Sequence, residues 1–133
     1  MRFIRLARKL DLDNIKIWLE DEYKKYGEGF FVNVDVVEKY FEKKELFVCI
    51  HDNFPAGFIT GPFDGPSILN VKKGHKRRGI GKKLFKYFLN EAKKQHINVI
   101  KIQCKPESSI KFWETMGFSI KNDNGHHYGQ YKI

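Results

Sequence analysis

The stretch Val71-Lys72-Lys73-Gly74-His75-Lys76-Arg77-Arg78-Gly79-Ile80-Gly81-Lys82-Lys83-Leu84-Phe85 decides how the rest of the chain is read. An apolar run ends at Val71, basic residues follow, and two glycines two apart open a periodic segment. Ile80, Leu84, Phe88 and Ala92 recur at every fourth position there, with Phe85 and Leu89 beside them. That spacing predicts a helix over residues 79–94 with one face turned to a core. The first amides of a helix have no partner within it, and the macrodipole favours an anion at that end. Glycine at 79 and 81 would keep side chains off the backbone where a pyrophosphate approaches. Arg77, Arg78 and Lys82 add fixed positive charge. The stretch therefore reads as a phosphate-binding strand, loop and helix. A Gly79 that merely breaks a helix start is the plainer alternative, and the charge around it favours the phosphate reading.

Two other glycine motifs fail on inspection. A dinucleotide fingerprint needs a third glycine where Leu84 stands. Gly74 and Gly79 have the spacing of a nucleotide-hydrolase P-loop, but Ile80-Gly81 follows instead of Lys and Ser or Thr. Nucleotide hydrolysis and hydride transfer therefore drop well down.

The charge is as local as the glycines. The chain has 133 residues and a net charge of +9. Residues 72–94 hold ten bases against the single acid Glu91, and the remainder holds 15 bases and 15 acids. A polyanion bound over an extended surface draws bases from several elements. One cluster suits a compact anion such as a phosphorylated cofactor, while a solvated helix face accounts for about half of these lysines. The length suits one domain, residues 1–133, and 41 % hydrophobic residues suffice for a core. No apolar run is long enough to span a membrane, and Met1-Arg2-Phe3-Ile4-Arg5 lacks the apolar region of a signal peptide. Cys49 and Cys104 could form one bridge at most, and a core of this size does not need it, so a reduced, cytoplasmic setting is expected. Cys49 and His51 share a strand face without further ligands, so no metal site is expected. Cys104 reads as a small buried apolar residue rather than a nucleophile.

Outward from the central stretch, residues 3–7 read as a strand. Asp11 or Asp13 would cap a helix with Leu12, Ile15, Trp18 and Leu19 on one face, broken by Gly27-Glu28-Gly29. Asn33 or Asp35 starts a second helix carrying Val36, Val37, Tyr40 and Phe41. Residues 46–51 and 56–60 form a hairpin across Asp52-Asn53. Residues 61–66 are a loop, and residues 67–71 a strand. Residues 97–104 are an apolar strand of central character. Pro106 opens a short helix that Gly117 ends, and two closing strands flank Asn122-Asp-Asn-Gly125. The order β-α-α-β-β-β-α-β-α-β-β predicts an α/β (α+β) fold. Its mixed, mostly antiparallel sheet of six to seven strands would be flanked by about four helices.

These residues resemble the GNAT family, the Gcn5-related N-acetyltransferases. The family's cofactor motif [QR]-x-x-G-x-[GA] stands here as Lys76-Arg77-Arg78-Gly79-Ile80-Gly81, after Leu69-Asn70-Val71. Its later signature N-x-x-A-x-x-F-Y-x-x-x-G-F stands as Pro106-Glu-Ser-Ser109-Ile-Lys-Phe112-Trp113-Glu-Thr-Met-Gly117-Phe118. The element order matches along the whole chain. The resemblance implies two splayed central strands with acetyl-CoA between them. Pantetheine would lie along Leu69, Asn70 and Val71, and the pyrophosphate on the amides of residues 77–82. Direct acetyl transfer to a primary amine in a ternary complex would follow. The acceptor could be a small amine, an antibiotic, a peptide terminus, a lysine or an aminoacyl-tRNA, and a homodimer is possible.

Three positions depart from the family pattern. Lys76 replaces Gln or Arg, Pro106 replaces Asn, and Trp113 stands where many members have the Tyr that protonates the departing thiolate. An indole N–H donates a hydrogen bond but does not titrate in this range. A thiol of pKa about 8.5 leaves tolerably without an acid, so slower or differently assisted transfer is expected. Core packing is the other role open to Trp113. The base is unassigned. Lys101 occupies the column where members that acetylate protein N-termini often carry Glu. Glu28, in the Gly27–Gly29 loop, and His126 or His127, near the last hairpin, are candidates. A solvated loop acid and surface histidines are the plainer readings, and a water relay would need no titratable residue. Two rival readings are a non-catalytic acyl-CoA-binding regulator on the same fold and a nucleic-acid-binding module.

Overall fold

The computed structural model describes residues 2–76 and 79–133. The strand Leu46–His51 (β2) is apolar at every position but the last because both of its faces are covered. Leu46, Val48 and Ile50 point to one side, where they meet Leu12, Ile15, Trp18 and Leu19 of helix α1 (Lys9–Tyr26) and Val37 of α2 (Val34–Glu42). Phe47 and Cys49 point to the other side, toward Leu84, Phe85, Phe88 and Ala92 of α3 (Ile80–Lys94). Strand alternation thus divides one sheet between two cores. The predicted fourfold spacing on α3 is the set of side chains that its core takes.

Four strands make the first sheet, in the order β1 (Arg2–Leu6), β2, β3 (Phe54–Thr60), β4 (Leu69–Val71). Three more make the second, in the order β5 (Val99–Gln103), β7 (His126–Lys132), β6 (Ser119–Asp123). Every ladder among the described residues is antiparallel. The seven strands are those expected, and the row breaks between β4 and β5. A short 3-10 turn (Glu107–Ser109) leads into α4 (Ile110–Thr115), which with α3 covers one face of the second sheet. The opposite face carries no helix among the described residues. Lys101, Gln103, Ser119, Lys121, Tyr128, Gln130 and Lys132 lie exposed on it, while Ile100, Ile102 and Gly129 are buried on the α3 side.

The start of α1 differs from the expectation. Neither Asp11 nor Asp13 precedes the helix, which begins at Lys9. Asp11 lies inside the first turn, where its Oδ2 accepts the Arg8 amide at 2.8 Å while both carboxylate oxygens take the Arg5 guanidinium. The carboxylate can satisfy an orphan amide from the third helical position because β1 brings Arg5 against it. Gly27 ends the helix in the left-handed conformation, φ 68°.

Candidate functional site: a cleft between splayed strands

The break in the strand row is a cleft of about 1570 Å³. Its geometry follows from the ladders. The Thr60 amide donates to the Ile68 carbonyl at 2.9 Å, and the Lys72 amide to the Ala56 carbonyl at 2.8 Å. An antiparallel ladder bonds alternate residues, so Ile68, Asn70 and Lys72 face β3. The backbone groups of Leu69 and Val71 then point the other way, into the gap. On the far wall, Cys104 donates to His127 and Ile133 to Asn98, so Val99, Lys101 and Gln103 turn their backbone from β7 toward the same gap.

One end of the gap is filled. The Lys101 amide donates to the Asp64 carbonyl at 2.9 Å, and Gly65 lies so close that a Cβ there would strike the Lys101 carbonyl oxygen. The loop after β3 therefore closes the gap at Lys101 and leaves it open at Gln103. Composition marked residues 61–66 only as a loop. Glycine at 65 lets the two backbones approach, and nothing in the local sequence distinguishes it from an ordinary loop glycine.

α3 starts at the open end. Gly79 adopts φ 76°, with open space where a Cβ would point, and its carbonyl accepts the first intrahelical bond from Lys83 at 3.0 Å. The amides of Ile80, Gly81 and Lys82 are therefore free of intrahelical acceptors. The Ile80 side chain is buried in the core, so only its amide faces a ligand, whereas Lys82 and Lys76 are exposed and Lys76 lines the cleft. Glycine at 81 has a reason beyond the one expected. A Cβ there would lie 3.1 Å from Cε1 of Phe112, so the residue makes room for α4. Arg77 and Arg78 lie outside the described residues.

The candidate catalytic side chains part company. Glu28 lines the cleft, exposed, 3.6 Å from Nζ of Lys73. Glu22, which the sequence did not single out, also lines it and accepts the Lys73 amide at 2.9 Å. Lys73 further stacks its ammonium 4.4 Å from the Tyr26 ring centroid, which ties the loop after β4 to the end of α1. His127 is on the α4 side of β7, with Nδ1 3.8 Å from Glu107, and is not among the cleft-lining residues. Its neighbour Tyr128 faces the cleft instead, and His126 is exposed with Nδ1 3.5 Å from the Gln103 amide nitrogen. Trp113 is 7 % exposed, edge-on to Phe85, Phe112 and Phe118 at centroid distances of 5.7, 5.0 and 5.1 Å. It packs in the core, away from the cleft lining. Burial pushes the thiols of Cys49 and Cys104 up, with Glu114 adding to the effect at Cys104, and neither lines the cleft.

A family profile described as Acetyltransferase (GNAT) domain matches residues 19–129. The chain belongs to that family. Solved structures agree on the fold. An N-acetyltransferase PaiA of Thermoplasma acidophilum, in complex with coenzyme A, superposes with a TM-score of 0.74 at 14% identity, covering 100% of this chain and 99% of that one. Salmonella typhimurium YncA, with its cofactor acetyl-CoA, gives 0.77 at 16%, over 99% of this chain and 94% of that one. A GNAT-family acetyltransferase of Staphylococcus aureus Mu50 gives 0.76 at 15%, over 99% of both chains. No curated protein sequence matches the chain. Among the described residues no helix is long and apolar enough to cross a membrane.

Proposed function

We propose that this chain is an acetyl-CoA-dependent N-acetyltransferase, carrying acetyl directly to a primary amine that meets the thioester in the same cleft. The observation that carries the reading is the pair of open strand edges. Leu69 and Val71 on one wall and Gln103 on the other present backbone donors and acceptors across a gap that the Asp64–Gly65 loop fills only at Lys101. A pantetheine arm carries the amides that such edges pair with. The free amides of Ile80, Gly81 and Lys82, with Lys76 and Lys82 beside them, suit its diphosphate. The coenzyme A and acetyl-CoA complexes among the structural neighbours support the same occupant.

The thioester supplies an activated acyl group, and the chain supplies placement. A backbone amide at Val71, directed into the gap, can stabilise charge developing on the carbonyl oxygen. Trp113 does not protonate the leaving sulfur, because the indole does not titrate and is packed in the core. A thiolate of pKa about 8.5 leaves without that help, at a cost of up to about 10²–10⁴ in rate. Glu28 is the carboxylate of the cleft that makes no hydrogen bond among the described residues, and it suits removal of the amine proton directly or through water.

The test is calorimetric titration of acetyl-CoA, with amide exchange followed at Leu69, Val71 and residues 80–82, and thiol release across an amine panel. Binding that protects those amides, with thiol release for some acceptor, is the expected result. Absence of binding overturns the reading. The buried Trp113 favours a second reading, an acyl-CoA-binding regulator, which predicts the same protection with no thiol release over any amine.

A further inference from the structure

The wall of the cleft opposite α1 has a charge of its own. The register of the second sheet sets Gln103, Tyr128 and Lys121 side by side, and Lys101, Gln130 and Ser119 in the next row, followed by Val99 beside Lys132. Strands lie about 4.8 Å apart, so neighbours in a row are in mutual reach. All of these but Val99 are exposed, and all but Val99 line the cleft, as does Lys105 just beyond β5. No carboxylate stands in these rows. Asp123, on the same face, pairs in register with His126 at the hairpin turn and is outside the lining. Lys101, Lys105, Lys121 and Lys132 have no ion pair among the described residues. The acids of the facing wall, Glu22 and Glu28, are both turned to Lys73.

An ordinary solvated sheet face intersperses both signs. This one sets uncompensated ammonium groups among hydrogen-bonding amides and a phenol, inside a concave wall that focuses the field. We infer that the acetyl acceptor is an anionic amine, a small molecule whose carboxylate or phosphate is held by Lys101 and Lys121 while Gln103, Gln130 and Tyr128 orient it. The same positive field favours the neutral form of the acceptor amine, the form that attacks a thioester. This inference rests on the acetyl-transfer reading for its chemistry and on the register and charge for its specificity.

The experiment separates the two. Glutamate and O-phosphoethanolamine, against ethanolamine and spermidine, are titrated by calorimetry into protein loaded with coenzyme A, and assayed in parallel for thiol release from acetyl-CoA. The wild type should bind one of the anionic amines at least tenfold more tightly than either other amine, and which of the two distinguishes carboxylate from phosphate. The K101Q/K121Q double variant should lose about tenfold per lysine in that affinity, with coenzyme A affinity within twofold of wild type. Equal or tighter binding of ethanolamine or spermidine overturns the inference. So does undiminished anion binding by the double variant, or a parallel loss of coenzyme A affinity, which would assign the lysines to the cofactor. Anion binding lost in the double variant, with no thiol release from any amine, leaves the anion site standing and overturns its assignment to an acetyl acceptor.

Discussion

Replacing Gly65 with alanine tests the closed end of the gap. The added Cβ meets the backbone carbonyl oxygen of Lys101, which cannot swing aside as a side chain would. Either the loop lifts or β5 shifts, and both break the 2.9 Å bond from the Lys101 amide to the Asp64 carbonyl. Loss of that bond costs about 1 kcal/mol, and the overpacking about 1–3 kcal/mol more, so the variant should be less stable by about 2–4 kcal/mol. For a chain this long, unfolding entropy converts 1 kcal/mol into about 3–4 °C, so the melting temperature should fall by about 7–14 °C. Thermal denaturation followed by circular dichroism measures the size, and amide exchange at Lys101 measures the place. Gly125→Ala is the control. It adds a Cβ in open space at φ 82° and should cost only about 1–2 kcal/mol while leaving Lys101 protected. A Gly65→Ala protein that melts within 2 °C of wild type (roughly 0.5 kcal/mol), with Lys101 still protected, would refute the claim that this loop closes the gap.

Asp11→Ala strands the Arg5 guanidinium and frees the Arg8 amide, and should cost about 2–3 kcal/mol in urea unfolding, discounted because Arg5 is partly exposed. Trp113→Phe should lower stability by about 1–2 kcal/mol through lost edge-on ring packing, and leave acetyl-CoA affinity within twofold by calorimetry. The two thiols should react with Ellman's reagent at pH 8 far more slowly in the folded protein than in guanidinium. Their folded values are raised above the ordinary 9.0, so the unfolded chain ionises first. Their contribution to stability is then intact below that value and declines as pH rises through it, which urea midpoints at pH 8 and pH 10 would register.

What was legible in the sequence is what depends on local periodicity and turn chemistry. The α3 stripe, the hairpin at Asp52-Asn53 and the turn before Gly125 are each set by residues within a few positions of one another, and they stand where expected. What was not legible depends on contacts across long separations. Asp11 looked like a residue preceding a helix because its arginine partner arrives from β1. Residues 97–104 looked like a central strand because of their apolar density, and Ile100, Ile102 and Cys104 supply it from the buried side. The intervening Lys101 and Gln103 already alternate with them, and they mark the open face. The role of Gly65 needs β5 beside it, some 35 residues later in the chain, and no local pattern announces that.

The open edges cannot by themselves hold a ligand tightly. Each bond made by Leu69, Val71 or Gln103 replaces one to water in an open cleft, and such an exchange is worth about 1 kcal/mol. Micromolar affinity needs about 8 kcal/mol, so the strand edges fix register and direction while the larger share comes from elsewhere. On the proposed cofactor reading, that share is expected from the start of α3, where Lys76 lines the cleft, Lys82 is exposed and the amides of residues 80–82 have no intrahelical acceptor. Charge of that kind is screened over about 8 Å at physiological ionic strength and over about 3 Å at 1 M salt. Coenzyme A affinity should therefore weaken steeply with added salt, while dephospho-pantetheine fragments that touch only the strands should bind weakly at every salt concentration. A coenzyme A affinity flat from 0.05 to 0.5 M salt, a span over which exposed ion pairs lose much of their strength, would move the binding energy from the helix start to the strand walls.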